Sequence, residues 1–338
     1  MEKKFKALKN TVLLSAFLLP LNLMAQDEVG DLIKGTPSDA TKLINAYANP
    51  AFKGFGLGLN SGWANSAKSI GVFRFDLRIT VTAAMSPKKD QTFDVNTLEL
   101  QTLKPTNPAN TISPTVTGED KEGVEMISTT ASSPQPFKLP KGLGFNYVPS
   151  PQVQLTVGLP KNIDVSLRYS PTIDLDENGK FSLFGIGAKV EILPLILGKT
   201  GKLLPFDLAV AGGYTKLKYD IPLDVNNGQY SDQVLKTEFG GFSAEAIISK
   251  KLSIFTPFAS LGYNTAQHKI NALGTYDFGS LPSDKGIKDP IKIDEKSINA
   301  IKATAGLQLK LAILKLYASY TLSDYNYVNA GIGLGIGK

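Results

Sequence analysis

Residues 73–85 read FRFDLRITVTAAM. Phe73, Phe75, Leu77, Ile79, Val81, Ala83 and Met85 alternate with Arg74, Asp76, Arg78, Thr80, Thr82 and Ala84. Successive side chains of a strand point to opposite faces, so one face is wholly apolar and the other carries charges and hydroxyls. The first needs an apolar medium; the second needs water or ion partners. Thirteen residues at about 3.3 Å each cover about 43 Å. With a tilt of about 40° the strand still rises roughly 33 Å, enough for the apolar band of a bilayer and both interfaces. Strands of a soluble sandwich are usually about half as long.

The same period returns down the chain in PQVQLTVGL (151–159), NIDVSLRYS (162–170), FSLFGIGAKVEI (181–192) and PFDLAVAGGYTKLKY (205–219). It continues in GFSAEAIIS (241–249), LSIFTPFASLGYNTA (252–266), INAIKATAGLQLKLAI (298–313), LKLYASYTL (314–322) and YVNAGIGLGI (327–336). That makes ten strands. GFGLGLNSGW (54–63), TFDVNTLELQTL (92–103) and GLGFNYV (142–148) are further candidates, so the expectation is an all-β, antiparallel transmembrane β-barrel of about 10–14 strands. The connections alternate between long and short, which predicts long loops on one rim and tight turns, with both chain ends, on the other. A soluble antiparallel sheet also alternates, but its wet face is typically charge-rich, whereas these polar faces mix Gly, Ser, Thr, Asn and Gln with scattered opposite charges. Arginine turned to lipid costs about 2–4 kcal/mol near the midplane, so Arg74 and Arg78 are expected inside. Tyr169, Tyr263, Tyr320, Tyr325 and Tyr327, near strand ends, suit interfacial girdles.

At the N-terminus, Lys3, Lys4, Lys6 and Lys9 lead into TVLLSAFLLPLNLMA, ending at Ala25. This has the form of a signal peptide spanning 1–25, and it implies an exported chain located in the cell outer membrane. Removing Glu2 and those four lysines takes the net charge from +6 to +3. Basicity therefore gives no argument for nucleic acid as a partner, and no basic run is interleaved with aromatics. The absence of cysteine excludes disulfides, thiolate metal sites and thiol nucleophiles. Residues 26–60 hold the convincing helix, with Pro37 at its first turn, Thr36 or Ser38 as cap, and Asn49-Pro50 as its stop. This segment is read as a short helical hatch or plug, and 61–338 as the barrel. The proline-punctuated stretch 86–150 is a long extracellular insert, either a lid or extra strands above the membrane.

Few residues offer chemistry. His268 is the only histidine, and a barrel hydrolase would have to use it, yet no serine stands in a nucleophile-elbow context. DLDENG (174–179) spaces oxygen ligands like a calcium loop but lacks the closing Glu, since Gly185 stands there. A charged hairpin tip is the better reading, and no metal or cofactor is expected. The glycine runs GFGLG and GIGLGIG fit close backbone packing. Arg74, Asp76, Arg78, Asp164, Arg168, Lys189, Glu191, Glu245, Lys302 and Lys310 fall on polar faces and are the candidate lumen-lining set. They either line a conduit and set its selectivity or form an ion-pair network that fills a narrow barrel.

NAYANPAFKGFG (45–56), VGLPKNIDVSLRYSP (157–171), FSLFGIGAKVEI and LLPFDLAVAGGYTKLKYD (203–220) together resemble a family of exported, barrel-like proteins of unknown function from Bacteroidetes-type Gram-negative bacteria. The Asn49-Pro50-Ala51 triplet after the helix also resembles the hatch motif of the outer-membrane long-chain fatty-acid and toluene transporters. That second likeness implies passive diffusion of hydrophobic solutes through wall or lumen. The resulting expectation is a non-enzymatic outer-membrane channel for small or hydrophobic solutes, in contact with outer-membrane lipid. Its alternatives are a sealed structural or surface-interaction barrel and a hydrolase using His268.

Overall fold

The computed structural model describes residue 32 and residues 35–130, 135–175, 179–198, 200–223, 232–276 and 286–335. The signal-peptide reading and the tip of DLDENG lie outside these residues. Helix α1 (Pro37–Leu59) comes first. Ten strands then close one antiparallel barrel: β1 (Phe75–Met85), β2 (Tyr147–Leu159), β3 (Ile163–Asp174), β4 (Lys180–Glu191) and β5 (Asp207–Pro222), followed by β6 (Val234–Ser249), β7 (Phe255–Leu273), β8 (Ile291–Leu311), β9 (Leu314–Leu322) and β10 (Asn326–Gly335). Neighbours in sequence are neighbours in the wall, and β1 pairs with β10 to close it, from Asp76↔Gly335 to Met85↔Asn326. In β1 the burial alternates residue by residue, with Phe75, Leu77, Ile79 and Val81 exposed and Asp76, Arg78 and Thr80 buried. A closed wall with an apolar exterior is the form in which strands cross a bilayer.

The opening stretch is shorter than its alternation suggests. Phe73 takes a left-handed φ of 56°, and its N–H donates to Gly158 O in a turn before β1, so Phe73 and Arg74 are not part of the strand. The strands are also unequal in height. β7 and β8 span 19 and 21 residues against 9 and 10 for β9 and β10, so the β5–β8 side stands well above the other. The insert after β1 folds over the low side. Its strands stay outside the barrel, pairing as 92–94 with 112–114, and as 125–128 between 103–105 and 137–138. Of the extra-strand candidates, GLGFNYV supplies only the first residues of β2, and GFGLGLN is helical.

The helix does not stop at Pro50; it continues to Leu59. An internal proline removes a donor and costs about 3 kcal/mol. Burial of Phe52, Phe55, Leu57 and Leu59 beyond it, at about 1.5–3 kcal/mol each, outweighs that cost. Glycines alternating with apolar residues mimic a strand period, but this helix is surrounded by protein on nearly all sides, so it needs no polar face. Gly58 lies where any Cβ would collide with the Ser150 side chain of β2, and this sets how closely helix and wall approach.

The chain crosses the barrel from rim to rim. α1 starts at the long-loop rim, where the Asp39 carboxylate accepts from Gln101 N and Thr102 N at 2.8 Å each, and Asn45 donates to Glu295 of β8 at 2.7 Å. Residues 60–74 then descend through the lumen to β1 at the opposite rim. The expectation that both ends lie on the short-turn rim holds for Gly335 and the start of β1, but not for α1. The interior changes along this path. Near the long loops it is apolar, with Leu43, Tyr47, Phe52 and Phe55 packed on Val116, Met126 and Leu139 of the insert and on Leu217, Phe239 and Ile270 of the tall strands. Below Leu59 it is polar.

Candidate functional site: a plugged lumen and an incomplete ladder

Arg168 on β3 is the centre of the lower interior, with 1% of its surface exposed. Its guanidinium donates to Leu59 O and Ser61 O, both at 2.7 Å, and Nε donates to Gln154 Oε1 at 3.0 Å. The C-terminal carbonyls of a helix lack intrahelical donors and carry partial negative charge, so a cation there caps the helix. The same guanidinium lies 3.8 Å from the Trp63 ring centroid. Trp63 in turn lies against Gly187 and Gly213, partners on β4 and β5, where a Cβ would occupy the ring's place. The remaining contacts of the plug follow the same scheme, with wall side chains holding its backbone. Arg78 Nη2 and Gln154 Nε2 donate to Trp63 O at 2.9 and 3.2 Å, Thr215 donates to Leu59 O at 3.1 Å, and Gln152 donates to Gly58 O. Ala67 N donates to Ser249 Oγ at 2.9 Å.

The charges pair around this thread. Asp164 and Lys189, direct partners on β3 and β4, lie 3.0 Å apart; Lys189 also donates to Ser66 O and Lys68 O, and Asp164 accepts from Ser69 Oγ. Glu191 accepts from Ser69 N and from Lys68, which also reaches Asp207 at 2.9 Å. Glu245 and Lys302 both pair with Gly262 of β7 and meet across it at 3.0 Å. Asp76 takes Lys315 and stands 3.6 Å from Arg78 Nε. Of the lumen-lining set, Asp76, Arg78, Asp164, Arg168, Lys189, Glu191, Glu245 and Lys302 are buried inside, whereas Arg74 and Lys310 are half-buried at the short-turn rim. Asn49 and Pro50 lie inside α1 and not after it, and half-buried Ala51, also within the helix, packs against the apolar cluster. Tyr325 and Tyr327 are buried rather than set in a girdle, and only Tyr169, Tyr263 and Tyr320 of the five face outward. Tyr325 closes the turn before β10 by donating to Asp90 of the insert at 2.6 Å, and burial with that carboxylate beside it holds the phenol above its usual range.

Sequence reasoning missed the neutral residues that do most of the holding: Gln152, Gln154, Thr215 and Trp63. The two glutamines were visible on the polar face of PQVQLTVGL, and Trp63 is the only tryptophan, but nothing in either pattern names a partner.

His268 is 1% exposed, with its ring 4.8 Å from that of Phe52, and neither ring nitrogen has a hydrogen-bond partner among the described residues. The ring packs between Phe52 and Phe239 in the apolar upper interior. Burying its unmade hydrogen bonds costs about 1–3 kcal/mol. His268→Leu is expected to raise the urea midpoint of the micelle-bound protein; a lowered midpoint would point to a polar partner the ring depends on.

The wall has one incomplete ladder. β2 and β3 pair only from Leu155↔Leu167 to Leu159↔Ile163; above that pair they run on to Tyr147 and Asp174 without pairing to each other, each held by its other neighbour, β1 or β4. Gly158 N donates to Arg74 O, so even-numbered residues of β2 direct their backbone groups to β1 and odd-numbered ones to β3. Pro149 and Pro151 are therefore on the β3-facing edge, without donors. Continuing the Leu155↔Leu167 register would set Pro151 opposite Pro171, another residue without a donor. From inside, α1 covers this seam: Ser150 and Gln152 donate to Phe55 O and Gly58 O.

A model of a family of unknown function (DUF6588) matches residues 2–336. No curated protein matches the chain. Among solved structures, the chain is similar to the outer membrane protease OmpT from Escherichia coli, at 11% identity and TM-score 0.35 over 78% of this chain and 96% of that one. It is also similar to the translocator domain of the autotransporter NalP from Neisseria meningitidis, at 9% identity and TM-score 0.33 over 84% and 92%. The Pseudomonas putida toluene transporter TodX gives 8% identity and TM-score 0.26 over 86% and 97%. At these scores none of the three bears on what this chain does.

Proposed function

The chain belongs to this family of unknown function, DUF6588, so its role has to come from its own geometry; we propose that it sits in the outer membrane and passes small or hydrophobic solutes passively. The route is the β2–β3 seam, not the plugged lumen. The observation that carries this reading is the ladder that ends at Leu155↔Leu167 with prolines on both facing edges. Unpaired backbone in hydrocarbon costs several kcal/mol per group, so strands keep such an edge only where something else covers it. Here the cover is α1 on the inside, and exposed Tyr147 and Tyr169 flank the seam on the outside. This reading assigns no catalytic step to His268.

Because the chain has no cysteine, introduced thiols can close the seam selectively. Val153→Cys with Tyr169→Cys, joined by a short bis-maleimide, is expected to cut uptake of an apolar fluorescent naphthylamine by expressing cells at least tenfold. The uncoupled double variant should take up the dye like the parent. The second reading, a sealed structural or surface-interaction barrel, is supported by the density of plug contacts. Uptake that never exceeds that of cells lacking the protein would leave this second reading in place of the first.

A further inference from the structure

The exterior of the tall side changes character at one height. On β7 the outward residues Phe255, Pro257, Ala259, Leu261 and Tyr263 are apolar or aromatic, and Thr265 ends the series. From Phe255 to Thr265 the strand rises about 25 Å, at about 3.3 Å per residue and a tilt of about 40°, which matches the apolar band of a barrel in a bilayer. Exposed Tyr214, Phe242 and Tyr263 stand at its upper edge, where aromatic girdles lie. Tyr214 and Phe242 are register partners, so the edge runs level across β5 and β6.

Above that edge the outward face turns cationic over three successive rows. The first joins Lys216, Gly240, Gln267 and Lys296; the second joins Lys218, Glu238, Lys269 and Asp294; the third joins Lys180, Asp220, Lys236, Asn271 and Lys292. Seven lysines thus stand against three carboxylates, with Asp174 beside Lys180 as a fourth. Lys216 and Lys218 share Glu238 at 2.8 and 3.4 Å, and Lys269 takes Asp294 at 2.7 Å. Lys236, Lys292 and Lys296 are exposed and have no ion pair among the described residues, although Asp220 stands opposite Lys236 in register. The low side has no counterpart: the outward positions of β1, β9 and β10 carry no charge.

We propose that this face binds the phosphorylated sugar headgroup of an outer-leaflet glycolipid, with Lys236, Lys292 and Lys296 as its main contacts. The assignment rests on the reading that the barrel sits in the outer membrane with its long loops outward. Height selects the partner. A phospholipid headgroup layer is about 5–8 Å thick, so its phosphate meets the first row, whereas the third row lies about 15 Å above Thr265 and needs a headgroup that reaches further. Lys236 and Lys292 flank Asn271 two strand spacings, or about 10 Å, apart. Ammonium groups suit phosphate as point charges, and the amides of Gln267 and Asn271 between the lysines suit sugar hydroxyls.

Native mass spectrometry of the full folded chain released from zwitterionic detergent, titrated with bis-phosphorylated lipid A, tests the site. The parent is expected to retain the lipid, and to retain it less as salt is raised before release. Combining Lys236→Gln, Lys292→Gln and Lys296→Gln should weaken binding at least tenfold, and arginine at the same three positions should preserve it. Equal retention of dephosphorylated lipid A, equal retention of phosphatidylglycerol, or binding unchanged in the glutamine variant overturns the site. Binding of a soluble acidic polysaccharide without any response to lipid A overturns the choice of partner. Heat-modifiable gel migration of the variants controls for folding, and the same gel on fractionated membranes reads the location of the chain separately. Dye uptake through the seam does not involve these lysines, so the two results are independent.

Discussion

Replacing Arg168 with methionine is expected to release the plug while leaving the wall closed. The variant keeps side-chain volume but removes the donors to Leu59 O, Ser61 O and Gln154, and the stack on Trp63. Hydrogen bonds from a charged group contribute about 1.5–3 kcal/mol each. Leu59 O keeps Thr215 as a donor, whereas no other donor to Ser61 O is seen among the described residues, so a loss of about 3–5 kcal/mol is the reasonable scale. Because the ten-stranded ladder does not run through this side chain, heat-modifiable migration should persist. Planar-bilayer recordings should be silent for the parent and show frequent openings for Arg168→Met. An unchanged urea midpoint together with silent bilayers would mean the plug is held elsewhere.

The Glu245–Lys302 pair gives the second large effect. Lys302→Met strands the Glu245 carboxylate in an interior where it is otherwise held by Ser260 at 2.7 Å, and Glu245→Met strands Lys302. Removing one partner of a buried pair costs about 3–5 kcal/mol, whereas replacing both with apolar groups of similar volume is often neutral or stabilising. Each single variant is therefore expected to unfold at markedly lower urea, and the double variant to return within about 1 kcal/mol of the parent. A role in setting the selectivity of a conduit predicts the reverse: modest stability changes and altered ion preference in all three. The geometry supports the network, because Lys302 and Glu245 reach one another over Gly262 instead of facing a water-filled path.

These two tests also separate what could be read locally from what could not. Strand period is a property of neighbouring residues, and the alternation of Phe75, Leu77, Ile79 and Val81 with Asp76, Arg78 and Thr80 was enough to assign faces. Ten clear strands became ten strands of the wall, and the helix cap at Thr36 with Pro37 behind it was equally local. Pro50 misled because helix termination depends on what the next residues can bury, and Phe52, Phe55 and Leu59 have a closed apolar surrounding to enter. The seam was partly written in the sequence, since Pro149, Pro151 and Pro171 stand in plain view. Which neighbour a missing N–H would have faced depends on register, and register is set by the folded wall.

Period two and side-chain polarity are enough to assign two faces to each strand, so an apolar exterior and a polar, charged interior follow from the order of residues alone. The tertiary structure alone decided that the interior is filled by the chain's own residues 37–74, and which charges meet. Asp76 finds Lys315, and Arg168 finds the end of α1, across separations of 239 and 109 residues. Such pairings come from closure of the barrel and from the path of a segment through it, and neither is a property of any short stretch of sequence.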